Sequence, residues 1–301
     1  MAEQIGRLLT AMITPFDSDG KVDYPQARRL ALALVASGSD GVVVAGTTGE
    51  SPSLTREEQA RLFEEIKEAL DGKGDVVAGT GSNSTAEAIE YTQDAQKIGA
   101  DAVLSVVPYY NKPPQEGLYQ HFKAIAESTN LPVILYNVPG RTATNMNTET
   151  VVRLSEIPNI LGIKEAGGDL NQAAHIIQEA RPGFLVWSGN DDQTYPIMAM
   201  GGYGIVSVAS HLIGDQIKAM MGMTLEGDLE RAAAEHRRLL PMFQGLFVVA
   251  NPIPVKYAVN KVGFSVGEPR LPLVSPDAQT AAQIDALIKS YKVDLPIPAA
   301  T

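Results

Sequence analysis

Asn159-Ile160-Leu161-Gly162-Ile163-Lys164-Glu165-Ala166-Gly167-Gly168 is the stretch on which the fold of this chain turns. Its apolar part is nearly continuous, as suits a strand of a parallel sheet buried on both faces. Two glycines then punctuate the chain, and Asp169 with Gln172 has the spacing of a capping box that opens a helix. The segment therefore reads as strand, turn, helix. Lys164 closes the strand, where packing alone rarely places a charge. A lysine stem lying on apolar surface with its head in water is the ordinary alternative.

The same unit recurs along the chain. Apolar runs at 8–14, 41–46, 75–79, 102–107, 132–137, 159–165, 184–188 and 204–207 read as strands. Amphipathic segments separate them, such as 55–70 with Leu62, Ile66 and Leu70 on one stripe. Thr55 with Glu58 and Ser84 with Glu87 have capping-box spacing as well. Eight β-then-α units in order predict an α/β fold, a (β/α)8 TIM barrel. A doubly wound open sheet normally has fewer strands before its order reverses. The barrel is expected over residues 1–225. Residues 226–301 read as an all-helical C-terminal extension, with helices near 228–247, 254–262 and 276–291 and a loose end from Leu295 onward.

Composition narrows the function classes. With 24 basic and 35 acidic residues the net charge is −11, and no basic cluster offers a nucleic-acid footprint. No apolar run approaches the roughly 18 residues of a membrane span. Met1-Ala2-Glu3-Gln4 lacks the start of a signal peptide, so the expected location is cytoplasmic. The chain has no cysteine, which removes disulfides, thiolate metal sites and cysteine nucleophiles together. His121, His175, His211 and His236 stand singly without metal-ligand spacing, and no metal or cofactor site is expected.

In a barrel of this kind the strand C-terminal ends share one rim, where catalysis is located. That rim collects Thr47-Thr48-Gly49-Glu50, Thr80-Gly81-Ser82-Asn83, Tyr109-Tyr110-Asn111, Tyr136-Asn137, Lys164-Glu165, Ser188-Gly189-Asn190 and Ser207. Lysine can form an imine with a carbonyl substrate. At its ordinary pKa near 10.4 only about one lysine in a few thousand is neutral at pH 7, so the amine has to be buried to react. Tyr136, on the adjacent strand, is placed to carry the proton of the carbinolamine. The segment Gly46-Thr47-Thr48-Gly49-Glu50 suits a single carboxylate, and reads equally as a tight turn into a capped helix. The residues alone point to a Schiff-base lyase or aldolase.

Four motifs carry a family resemblance: Gly46-Thr47-Thr48-Gly49-Glu50, Pro108-Tyr109-Tyr110-Asn111-Lys112-Pro113, Tyr136-Asn137-Val138-Pro139-Gly140-Arg141-Thr142 and Gly162-Ile163-Lys164-Glu165. Asn251-Pro252-Ile253-Pro254-Val255-Lys256 and Arg270-Leu271-Pro272-Leu273 extend it. The chain resembles the pyruvate-dependent class I aldolases of the N-acetylneuraminate lyase superfamily, and within them the dihydrodipicolinate synthases. The Pro139-Gly140-Arg141-Thr142 segment favours that branch over aldolases and lyases acting on sugar acids or aryl-substituted pyruvates, which are the alternative. A non-catalytic barrel kept as a binding or scaffold protein is the remaining reading; the lysine and relay hydroxyls, all present, stand against it.

The resemblance implies condensation of pyruvate with L-aspartate 4-semialdehyde in lysine and diaminopimelate biosynthesis, through a pyruvate imine on Lys164 and without a cofactor. It implies that Thr47 and Thr48 hold the pyruvate carboxylate, and that protons pass through Tyr136, Thr47 and a neighbouring subunit's Tyr110. Arg141 would bind the semialdehyde carboxylate, and Gly189 and the Val206 carbonyl would line the pocket. The implied assembly is a homotetramer, a dimer of dimers. An inhibitory lysine site is implied at Ser51, Asn83, Glu87 and Tyr109. There Arg56, if it pointed inward, would repel the lysine ε-ammonium, and weak or absent inhibition by L-lysine is expected. Two positions depart from the family pattern: Asn190, where aspartate is frequent, and His211-Leu212-Ile213-Gly214, which replaces an asparagine-containing loop.

Overall fold

The computed structural model describes residues 5–297. Eight parallel strands close into a barrel: β1 (Leu8–Ala11), β2 (Gly41–Val44), β3 (Asp75–Gly79), β4 (Ala102–Val106), β5 (Val133–Asn137), β6 (Ile160–Glu165), β7 (Leu185–Ser188) and β8 (Gly204–Ser207). Closure comes from β8 pairing with β1, with Val206 opposite Leu9. Each strand lies inside its sequence-predicted run and is almost wholly buried. That is what a sheet covered outside by helices and filled inside by side chains requires.

The helices of the first half are α1 (Tyr24–Ala36), α2 (Arg56–Leu70), α3 (Thr85–Ile98), α4 (Gln115–Glu127) and the short α5 (Pro139–Thr142). They continue with α6 (Thr148–Ser155), α7 (Leu170–Glu179), α8 (Thr194–Ala199) and α9 (Ser210–Leu225). α2 buries Leu62, Phe63, Ile66 and Leu70 on one stripe. Of the three expected capping boxes only that of Thr55 and Glu58 is complete. Ser84 and Asp169 do cap their helices. Glu87, however, accepts from the Ser82 hydroxyl, and the Gln172 amide donates to Glu165 and the Met146 carbonyl. A hydroxyl of the preceding loop takes the Glu87 carboxylate, and residues across the rim take the Gln172 amide, so the reciprocal bond is absent in both places.

After α9 come α10 (Leu229–Gly245), α11 (Ile253–Lys261) and α12 (Ala278–Lys289), all helical as the pattern predicts. The chain end corrects one expectation. Leu295 is not loose: it is 3 % exposed, and the neighbouring Asp294 amide donates to the Leu212 carbonyl at 2.7 Å. Residues 298–301, also expected to be loose, and the start at residues 1–4 lie outside the described residues. Among the described residues no helix is long and apolar enough to cross a membrane.

One irregularity in the sheet positions the chemistry. β5 and β6 pair Val133 with Ile160, then Ile134 with Gly162, so that Leu161 is skipped. Beyond the skip, Tyr136 pairs with Lys164 and Asn137 with Glu165. Because strand side chains alternate between faces, this one-residue offset sets Lys164 beside the phenol; without it Tyr136 would pair with Ile163.

Candidate active site

Lys164 lies at the rim end of β6 and is 6 % exposed. Its Nζ stands 4.2 Å from the centre of the Tyr136 ring. Burial lowers its pKa to about 7, with Arg141 adding to the effect and Asp191 opposing it. Taking an ammonium out of water disfavours the charged form, so the amine reaches neutrality near physiological pH. The same burial raises the Tyr136 phenol, against Arg141 and the nearby Thr47 hydroxyl, which lower it. A neutral amine and a protonated phenol thus sit side by side, the states that carbonyl addition and proton delivery call for.

Thr47 and Thr48 line the same cleft as Lys164 and Tyr136, and Ser51 completes that wall. The turn that carries them is held from several sides. Thr14 Oγ1 donates to the Gly49 carbonyl at 2.7 Å, and Asn251 Nδ2 donates to Thr48 Oγ1 at 2.8 Å. Thr47 also borders a second cleft, with Arg141, Asn251 and Pro252. Arg141 is exposed on α5, and its Nη2 donates to the Asn251 carbonyl at 3.2 Å. An anion at Arg141 would lie next to a carbonyl compound held at Lys164.

Gly189 follows β7. A methyl group there would stand 2.6 Å from the Ala166 Cβ and 3.2 Å from Lys164 Cε, so glycine makes the room that the lysine stem occupies. Val206, on β8, is buried. Tyr110 does not join this cleft: it is 88 % exposed, on a loop where it takes a left-handed φ of 73°. The four positions of the implied lysine site are joined only in part. Asn83 Nδ2 donates to the Tyr109 carbonyl, Glu87 accepts from Ser82, and the Ser51 carbonyl accepts from Gln59.

Arg56 points elsewhere. Its guanidinium pairs with Glu90 at 2.5 Å and Asp94 at 2.6 Å, so the inward repulsion expected from the sequence does not arise. Of the two departures, Asn190 donates to the Gln193 side chain. The neighbouring Asp191 is the buried carboxylate: it accepts from the Ser207 hydroxyl and the Val208 and Ala209 amides, and its charge favours the Lys164 ammonium. His211 is fully buried, with Nδ1 bonded to the Val208 carbonyl and Nε2 accepting from the Ile13 amide. Burial lowers its pKa to about 4, so it is a neutral structural residue.

Sequence reasoning missed two groups. One is Asp191. The other is the pair of Glu50 and Lys256, whose side chains are 2 % and 1 % exposed and meet at 2.7 Å. Lys256 lies within a motif of the resemblance, but no local pattern names a partner 206 residues away. Among the described residues no group of three or more His, Cys, Asp or Glu side chains could hold a metal.

A sequence model of the dihydrodipicolinate synthetase family matches residues 4–291. The 4-hydroxy-tetrahydrodipicolinate synthase of Dehalococcoides mccartyi (strain CBDB1) is 61% identical over 295 residues, 98% of this chain and 99% of that one. The crystal structure of a dihydrodipicolinate synthase from Bacillus anthracis superposes with a TM-score of 0.94 at 46% identity, covering 96% of this chain and 99% of that one. The enzyme of Cyanidioschyzon merolae, solved with lysine bound, gives 0.93 at 48% identity, with coverage of 95% and 98%. With a family model matched over residues 4–291 and relatives of this identity over nearly the whole length, the chain belongs to the dihydrodipicolinate synthetase family.

Proposed function

We propose that this enzyme condenses pyruvate with L-aspartate 4-semialdehyde to 4-hydroxy-tetrahydrodipicolinate, a step of lysine and diaminopimelate biosynthesis. The observation that carries the mechanism is the Lys164 amine, buried at a strand end with a pKa of about 7 and paired in register with Tyr136. The Lys164 amine adds to the C2 carbonyl of pyruvate. The carbinolamine loses its hydroxyl as water, with the proton supplied through Tyr136, and an imine forms. Loss of a C3 proton gives the enamine, whose C3 attacks the semialdehyde carbonyl; the amino group of the semialdehyde then adds to the imine carbon and displaces Lys164, which closes the ring and frees the amine. No cofactor is needed, because the imine is itself the electron sink.

Thr47 and Thr48 are assigned the pyruvate carboxylate, and Arg141 that of the semialdehyde, to which a guanidinium fork is suited. Gly189 and the Val206 carbonyl are assigned the pocket wall. Tyr110 is assigned the outer end of the proton relay in a neighbouring subunit, which its exposure supports, within a cytoplasmic homotetramer. Mass spectrometry after incubation with pyruvate and borohydride is expected to show one adduct per chain, at Lys164. The Lys164→Ala chain should show none, and an adduct that persists there overturns the assignment. An acceptor screen separates this reading from cleavage of sugar acids: aspartate semialdehyde should exceed N-acetylmannosamine and glyceraldehyde by orders of magnitude.

A further inference from the structure

Three residues from the C-terminal helical part grip the turn at residues 46–53. Asn251 Nδ2 bonds Thr48 Oγ1, Lys256 Nζ bonds Glu50 Oε1 at 2.7 Å, and the Arg270 amide bonds Glu50 Oε2 at 2.9 Å. Arg270 Nη1 also donates to the Ser53 carbonyl at 2.8 Å. Glu50 holds a left-handed φ of 58°, a strained state for a residue with a side chain. Such a state persists where surrounding contacts determine it. Lys256 Nζ further lies 4.0 Å over the Phe16 ring, which closes the pair off from water.

Stability is a poor reason for this arrangement. Removing two charges from water offsets most of their attraction, and apolar replacements of a buried pair are often neutral or stabilising. Location is a better reason. Glu50 follows Thr47 and Thr48 within the same turn, and those two hydroxyls line the Lys164 cleft. We propose that the Glu50–Lys256 pair is a positioning device for the reaction, fixing the turn so that Thr47 and Thr48 meet the pyruvate carboxylate. Neither residue lines that cleft; they act through the threonines. The inference rests on the reading of the cleft as the pyruvate site.

The test is the Glu50→Gln/Lys256→Met double variant, which keeps the side-chain volumes similar and leaves no lone buried charge. The pyruvate KM is expected to rise at least about tenfold, or 1.4 kcal/mol, in a folded protein. The KM for aspartate semialdehyde should move less than that for pyruvate, and any fall in kcat should accompany the rise in pyruvate KM, because Thr47 also serves the proton relay. A lowered kcat or melting temperature with the pyruvate KM unchanged would mark a merely structural pair and overturn the proposal. Should the double variant fail to fold, Lys256→Arg, which keeps a cation opposite Glu50 but alters its reach, is read by the same constants. The parent's borohydride adduct is the control. Its absence counts against the pyruvate site itself, whereas its presence with an unchanged variant KM counts against positioning alone.

Discussion

The Lys164 amine owes its reactivity to the water it has lost. With a pKa of about 7 roughly half of the molecules carry a neutral amine at pH 7, against about one in a few thousand for a solvated lysine. The sign follows directly: acid protonates the nucleophile, so adduct formation should fall about tenfold per pH unit well below 7 and level off above about 8. Rates of borohydride trapping with pyruvate across pH 5.5–9 measure this. A profile still climbing at pH 9 would show that the amine is not buried as described. Lys164 and Tyr136 could be singled out because each ends an apolar run with a functional group. Asp191 could not, since an aspartate after a Gly-Asn pair looks like any turn residue until its buried acceptors are seen.

At the scale of elements, β6 and β7 form the wall that aims the lysine, and Gly189 is the point where that wall meets the lysine stem. Gly189→Ala puts a methyl group against Ala166 and Lys164 Cε. Overpacking of this kind costs about 1–3 kcal/mol. If it is relieved by shifting the lysine stem, kcat/KM for pyruvate should drop about tenfold or more, which steady-state kinetics will show. An unchanged constant would mean that Ala166 gives way instead. The strands were legible because burial on both faces writes a continuous apolar run. The offset between β5 and β6 was not, because nothing in either run marks the skipped Leu161. Helix starts were legible from Thr55, Ser84 and Asp169, yet Glu87 turned to a hydroxyl of its own leading loop and Gln172 to the end of β6.

For the whole molecule, the question is what covers Tyr110. An exposed phenol on a strained loop at the rim has little reason to exist in a monomer. If a neighbour completes the site, a Tyr110→Phe chain mixed with a Lys164→Ala chain should recover activity. Random pairing in a two-fold dimer restores about a quarter of the sites. No recovery after verified subunit exchange would count against sharing. Inhibition by lysine belongs to the same scale. Arg56 is offset by two carboxylates, so its charge gives no reason for weak inhibition. Exposed pairs of this kind couple weakly, so if L-lysine inhibits this enzyme, Arg56→Gln should leave half-inhibition within about threefold of the parent. Tightening by about tenfold or more would restore the repulsion argument.

The sequence by itself determined the barrel, the helical tail and the rim positions of Lys164, Tyr136, Thr47 and Thr48. All of these are written locally, in runs, turns and strand ends whose period or residue type is visible within a short window. Only the tertiary structure decided which residues touch. It joined Lys256 to Glu50 across 206 positions, turned Arg56 toward Glu90 and Asp94, and tied the tail back through Asp294. Contacts of that kind are set by packing of distant segments, and their cost in burial and desolvation is known only once the neighbours are in place.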